Sequence, residues 1–420
     1  MKITAVTGRE IFNSRGYPTI ECELTLENGQ SVRASTPSGT SLSRYKAVEL
    51  RDEGNQFSGL RVTKAIEKLE TVIASEIILG KEPNLVEMDL KMIELDGTPD
   101  KRILGSNTMI AASLAIAKAQ ALNSDQKLYE LVASLCGLEQ VSLPYPMCNI
   151  INGGLHADNN VQIQEIMIIP IGFATFREAF SEVLEIYYSL KTILKQKGKT
   201  ILSGDEGGIA SNFNNDTEAL DLMMQAIETR KNKTKGNFVI ALDVAASHFY
   251  DKQANVYHWQ GKDLTSGDMI NMYKKLSAEY PIFSIEDGLS EDDWDGWKKL
   301  MRELGETIQI VGDDIFATNP ARIAQGIEDN IANSVIIKPN QIGTLTETLQ
   351  SIILCKDYNI NTIISHRSGE TEDTAIVDIA IGSNSGQIKI GGCSRGERIE
   401  KYNHMLRIED ALQLAILNGQ

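Results

Sequence analysis

The sequence predicts an α/β fold in which a strand-and-helix barrel follows a smaller N-terminal α+β domain. Three observations predict it. The chain has 420 residues, more than one ordinary core needs and suited to a barrel with a partner domain. Six short apolar runs beyond residue 237 each close on a polar or charged cluster, with helical periods between most of them. Pro144 and Pro146 stand where the pattern changes, and two prolines so close cannot lie inside a helix. The expected division is 1–138 for the first domain and 139–420 for the second.

Taken in order, Ile3 to Thr7, Thr19 to Leu26 and Gln30 to Ala34 are rich in β-branched and alternating residues. Glu27-Asn28-Gly29 between the last two is a hairpin signal, so an antiparallel meander is expected. Residues 38–44 (SGTSLSR) have no period and read as a loop too polar to be buried. From about Thr63 to Asn123 the period is helical, with Val62, Ala65, Ile66, Leu69, Val72 and Ile73 at spacings of three and four. Beyond the prolines, Phe176 to Lys197 presents one apolar face and stops at Gly198.

The six apolar runs are FVIALD (238–243), FSIEDG (283–288), IQIVGDD (308–314), SVIIKPN (334–340), NTIISHR (361–367) and GQIKIGG (386–392). Continuous apolar strands separated by helices indicate a parallel sheet buried on both faces. Runs at 146–151 and 161–169 bring the count to about eight, which favours a closed barrel over an open sheet. In such barrels the C-terminal ends of the strands carry the chemistry. Here those ends bear Asp243, Glu286, Asp313, Lys338, Arg367 and Lys389.

Composition excludes several classes. The formal net charge of −16 makes a poor general ligand for nucleic acid or anionic membrane. The five cysteines are odd in number, scattered and without CxxC, so no disulfide framework or zinc site is expected. No apolar run reaches membrane-spanning length and the N-terminus has no h-region, so the expectation is a cytoplasmic protein. There is no P-loop and no GxGxxG.

The strand ends suggest a chemistry. Asp243, Glu286 and Asp313 in one pocket would repel one another and need a cation; an all-oxygen set suits Mg²⁺ better than zinc. Lys338 follows three apolar residues, so burial and nearby cations would disfavour its ammonium and fit it as a general base; a simple pairing with a carboxylate is the even alternative. Glu206, in Gly204-Asp205-Glu206-Gly207-Gly208, is a candidate acid, although the pentapeptide alone reads more readily as a solvated turn. Arg367 and Ser368, preceded by His366, offer a planar cation and a hydroxyl to an oxyanion.

Longer stretches then become specific: GREIFNSRGYPTIE, ELRDEGNQFSG, MCNIINGGLHADNNVQIQEIMI, GDEGG, ALDVAAS, YPIFSIEDGL, VGDDIFATNP, IIKPNQIGTLTET, ISHRSGETED and GQIKIGGCSRGER. In order and spacing the chain resembles the enolase (phosphopyruvate hydratase) family along essentially its whole length. The resemblance implies a barrel opening ββαα before six βα units, and the Mg²⁺-dependent dehydration of 2-phospho-D-glycerate to phosphoenolpyruvate. It implies Asp243, Glu286 and Asp313 as ligands of one Mg²⁺ and Ser41 as a ligand of a second that arrives with substrate. Lys338 would be the base and Glu206 the acid, with Glu165 positioning the acid. Lys389 would bind the substrate carboxylate, Arg367 and Ser368 its phosphate, and Gln164 and His156 would lie beside it. A homodimer or higher homo-oligomer is implied, cytoplasmic with an additional surface or secreted pool as in the family.

The departures from the family pattern gather in the N-terminal domain, whose loops cover the site. The lid loop, usually SGASTG, reads Ser38-Gly39-Thr40-Ser41-Leu42-Ser43, which removes a hinge glycine. GKGV becomes Gly59-Leu60-Arg61-Val62, and DSRGNPT becomes Asn13-Ser14-Arg15-Gly16-Tyr17-Pro18-Thr19. Two alternatives therefore stand beside the lyase. One is a paralogue acting on a phosphonate analogue, as carboxyphosphonoenolpyruvate synthases do; the other is a non-catalytic binding protein.

Overall fold

The computed structural model describes residues 1–39 and 43–417. Strands β1 (Ile3–Phe12), β2 (Pro18–Leu26) and β3 (Ser31–Ser35) form the expected antiparallel meander. Gly29 closes the second hairpin with φ +83°, a conformation that glycine alone adopts without cost. Helix α1 (Thr63–Glu67) runs on as a π-helical stretch (Lys68–Ile78), followed by α2 (Leu85–Asp96), α3 (Ser106–Asn123) and α4 (Leu128–Leu135). Residues 106–117 are buried without a break, because α3 lies between the meander and the barrel.

The barrel strands are β4 (Tyr145–Asn152), β5 (Glu165–Ile171), β6 (Asn237–Asp243), β10 (Ile282–Glu286), β11 (Gln309–Gly312), β12 (Ser334–Ile337), β13 (Asn361–Ser365) and β14 (Gly386–Gly392). They close in that order, with β14 returning to β4. Only β5 runs against its neighbours, among the described residues. Helices α5 (Phe176–Gln196) and α6 (Asp216–Glu228) connect β5 to β6. A short antiparallel sheet of β7 (Tyr250–Asp251), β8 (Val256–Trp259) and β9 (Lys262–Leu264) precedes α7 (Ser266–Glu279). The later units carry α8 (Trp294–Leu304), α9 (Pro320–Glu328), the short α10 (Pro339–Ile342), α11 (Leu345–Asp357), α12 (Ala375–Gly382) and α13 (Gly396–Leu417). The order is ββαα followed by six βα units, as the resemblance implied, and every apolar run named above contributes a barrel strand.

The barrel interior is filled by Met147, Met167, Ile169, Ala241, Val311, Ile336 and Ile363, so it is a packed core and not a pore. The N-terminal domain docks on the barrel through polar contacts. Thr346 Oγ1 donates to Asp89 Oδ2 (2.6 Å), the Leu345 N–H donates to Ser113 Oγ (2.9 Å), and Lys101 pairs with Glu347 (2.8 Å). No described helix is long and apolar enough to cross a membrane, and all five cysteines are free.

Candidate active site

The C-terminal ends of β6, β10, β11, β12, β13 and β14 and two loops above β4 and β5 close round one polar pocket. Its lining includes Gln164, Glu165, Glu206, His156, Asp243, Asp313, Lys338, His366, Arg367, Ser368 and Lys389. Glu286 lies directly beneath, 1% exposed. Register explains the convergence: Glu286 pairs with Asp243, and Asp243 with Glu165 on the reversed strand, so three carboxylates stand side by side at one rim.

Lys389 sits at the centre of those acids. Its Nζ lies 2.8 Å from Asp243 Oδ2, 3.0 Å from both Glu286 oxygens and 3.0 Å from Glu165 Oε1. Burial disfavours the ammonium, but Asp243, Glu165 and Glu286 hold it well above the usual lysine value. Asp243 is drawn below the usual carboxylate value, its own burial outweighed by Lys389. Glu286 is pushed up to about 8, first by burial and then by Asp243. The rim therefore gathers more carboxyl groups than its lysines can pair, and burial favours the protonated form of Glu286.

Lys338, at the end of β12, pairs with Asp313. The sequence reading expected burial to disfavour its ammonium. Burial does act in that direction, but Asp313 overcomes it and Lys338 stands above the usual lysine value. The predicted metal ligands are likewise split: Asp243 and Glu286 share Lys389, whereas Asp313 faces Lys338. The ligand atoms of Asp313 lie within 4.8 Å of those of Asp287 and Asp314, and a second such group is His156, Glu165 and Glu206. Asp287 holds its neighbours in place, accepting from the Asp313 N–H (2.9 Å) and the Asp314 N–H (3.1 Å).

Glu206 is 2% exposed, so the turn that reads as solvated in sequence is buried. Gly207 makes this possible: its φ is +91°, and a Cβ there would come within 2.5 Å of the Ser394 carbonyl. Asn149 on β4 donates to Glu165 Oε2 (2.9 Å) and Glu206 Oε2 (3.3 Å). Burial and the neighbouring Glu206 push Glu165 well above the usual carboxylate range, whereas Glu206, its own burial outweighed by His156 and His366, stands well below it, so of the two it is Glu165 that favours its proton. His156 Nδ1 stands 3.2 Å from Glu206 Oε2, and Gln164 donates to Asp243 (3.3 Å).

Arg367 is held by Asn340 Oδ1 (3.0 Å) and backed by Gly39, where an added Cβ would fall 1.9 Å from its guanidinium. Ser38 and Gly369 exchange backbone hydrogen bonds at 2.8 Å, fastening residues 38–39 to the loop that carries Arg367 and Ser368. At the far end of the lid, Ser43 is buried and donates to the Asp314 carbonyl (3.0 Å), although the stretch is polar enough to read as exposed. Ser41 lies outside the described residues.

Several site residues escaped the sequence reading. Asp287 and Asp314 each follow a predicted ligand directly, and that doubling was the available signal. Asn149, His248 and Arg398 carry no local signal, since only the closed barrel brings them to the pocket.

A βα barrel with one reversed strand, a capping α+β domain and an acid-rich rim threaded by two buried lysines is the architecture of an enolase-superfamily lyase. Residues 3–132 match the family model described as "Enolase, N-terminal domain", and residues 140–420 match "Enolase, C-terminal TIM barrel domain". The chain belongs to the enolase family.

Proposed function

We propose that the protein dehydrates 2-phospho-D-glycerate to phosphoenolpyruvate, with Mg²⁺ as cofactor, as a cytoplasmic homodimer or higher homo-oligomer. The observation that carries the reading is the layout of one pocket. It has a buried lysine at β12 and a buried carboxyl pair, Glu165 and Glu206, bridged by Asn149. Arg367 with Ser368 and Lys389 stand as separate anion partners.

The donor set fits a hard divalent cation, because the carboxylates of the rim outnumber the lysines and all offer oxygen. Asp243, Glu286 and Asp313 would hold one Mg²⁺, and Ser41 would help hold a second when substrate is bound. Bound there, Mg²⁺ would offset the charge that builds on the substrate carboxylate.

The residues of the chain do the rest. Lys389 and Gln164 orient the substrate carboxylate, while Arg367 and Ser368 hold the phosphate. Lys338 Nζ, relieved of its pairing with Asp313 when that carboxylate serves the cation, would act as the free amine and take the proton from C2, with the electron pair of that C–H bond moving into the carboxylate. The C2–C3 double bond then forms as the C3–O bond breaks, and the departing hydroxide takes a proton that Glu206 draws from the neighbouring Glu165 carboxyl, and leaves as water. Glu165 and His156 position the acid, and the docked N-terminal domain limits access of bulk water.

The test is turnover of 2-phosphoglycerate followed by the absorbance of the new conjugated double bond, with and without chelator. Chelator-sensitive turnover supports the reading. Its absence from folded, Mg²⁺-supplied protein overturns it and directs the search to phosphonate analogues or to a binding role.

A further inference from the structure

Arg398, in the first turn of α13, is 0% exposed and has no hydrogen-bonded carboxylate among the described residues. The acid beside it, Glu397, stands 3.3 Å from Nε but outside hydrogen-bond geometry. The guanidinium is directed instead at neutral acceptors on two loops of the pocket. Nη1 lies 2.6 Å from His366 Nδ1 and 2.8 Å from the Arg367 carbonyl; Nη2 lies 2.9 Å from the Ser368 carbonyl and 3.5 Å from that of Asp205. Burying a cation is costly unless it is well bonded, and here the bonds go to the segments that carry the anion-binding pair and the acid.

One of these bonds has a chemical consequence. A guanidinium has donors only and does not lose its proton in a protein. The atom that receives it, His366 Nδ1, must therefore be bare, and an imidazolium, which has N–H on both nitrogens, is excluded. The ring proton is on Nε2, the nitrogen 3.8 Å from Glu206 Oε1. Gly391 completes the clamp: at φ +101° it leaves room for both side chains, and a Cβ there would come within 3.0 Å of Arg398 and 3.2 Å of His366.

We infer that Arg398 is a positioning residue: it fixes His366 as a neutral Nε2–H donor facing the pocket and clamps the Arg367–Ser368 carbonyls behind the anion site. His366 then contributes a directed hydrogen bond and takes no part in proton exchange. The charged groups that face the imidazole are Arg398 from α13, Glu206 from its loop, Lys389 from β14 and Lys338 from β12.

Long-range ¹H–¹⁵N spectra of the full chain labelled with ¹⁵N-histidine test this, with His366→Gln giving the assignment. In the wild type His366 is expected to show a protonated Nε2 and a bare Nδ1, unchanged from pH 6 to 8. Arg398→Met should release the ring to a tautomer mixture that titrates, and Arg398→Lys, which keeps one donor, should restore part of the fixed form. An Nδ1–H or imidazolium signal in the wild type overturns the inference, as does an unaltered spectrum in Arg398→Met. If Arg398→Met does not fold, Arg398→Gln, whose amide can both donate and accept, takes its place: a titrating tautomer mixture supports the inference and an unaltered spectrum removes it.

A second arm rests on the lyase reading: kcat/KM for 2-phosphoglycerate should fall about 10–100-fold in Arg398→Met, with partial recovery in Arg398→Lys. Wild-type protein with the expected spectrum but no turnover would sink the lyase reading and leave the role of Arg398 standing. Normal turnover in a folded Arg398→Met would sink that role and leave the lyase reading intact.

Discussion

Arg15 Nε and Asp205 Oδ2 lie 3.2 Å apart, joining the turn after β1 to the residue that precedes Glu206. The turn is itself rigid: Asn13 Oδ1 accepts from the N–H groups of Arg15 and Tyr17, and Asn13 Nδ2 reaches Ser38 Oγ at 2.7 Å. The N-terminal domain thus holds the acid loop from above. Arg15→Ala is expected to lower kcat/KM for 2-phosphoglycerate by about tenfold while costing less than about 1 kcal/mol of stability, as befits a half-exposed pair. Steady-state kinetics beside a urea titration would separate the two; unchanged kinetics would show that the pair serves docking alone.

Gly39 offers a cleaner probe of the anion site. The three atoms nearest its added Cβ all belong to the end of the Arg367 side chain, so Gly39→Ala should perturb binding and spare the fold. A KM raised about tenfold or more is expected, with stability changed by less than about 1 kcal/mol. An unaltered KM would mean that Arg367 does not bind substrate in the position seen here.

Asp89 is expected to make stability depend on pH. It is 0% exposed, and its carboxyl is pushed up to about 6 by burial, against hydrogen bonds from Thr346 and Ser113. A carboxyl raised in the folded state binds its proton more tightly folded than unfolded. Its contribution is fully present below the ordinary value near 4 and is lost as pH rises through 6, about 3 kcal/mol for a two-unit shift. Asp89→Asn keeps an acceptor for Thr346 and removes the titration. Wild type minus variant should fall between pH 4 and 7; a flat difference would show that Asp89 is ionised throughout.

Lys338→Ala should abolish exchange of the substrate C2 proton with solvent deuterium while Mg²⁺ still binds, measured by NMR and by calorimetry. The loss of turnover should reach at least about 10³-fold, within the usual range for a general base. Retained exchange would assign the proton to another group.

Much of the site was legible because strand ends repeat. Asp243, Glu286, Asp313, Lys338, Arg367 and Lys389 each close an apolar run, and the barrel converts that position into convergence at one rim. What was not legible depends on pairing across the fold. Lys338 reads as a lysine starved of its charge until Asp313 is seen against it. Glu206 reads as solvated because the Gly207–Ser394 contact that buries it joins residues 187 positions apart. The helical period from Thr63 is plain, but the widening of the turn over Lys68–Ile78 leaves the apolar spacing intact and so makes no mark.

The reversal of β5 has an effect on how such a site can change. Because that strand runs downward, the chain passes the pocket twice in loops, at 153–164 and 197–215, and only the first residue of β5, Glu165, reaches the rim between them. His156, Gln164 and Glu206 are therefore loop-borne, whereas Glu165, Asp243, Glu286 and Lys389 are held in hydrogen-bonded barrel strands. Loops accept insertion and replacement far more readily than the rim of a closed sheet. On the function proposed above, the groups that would serve the leaving hydroxyl, Glu206 and His156, stand where the fold tolerates change more readily than at the lysine that would take the C2 proton.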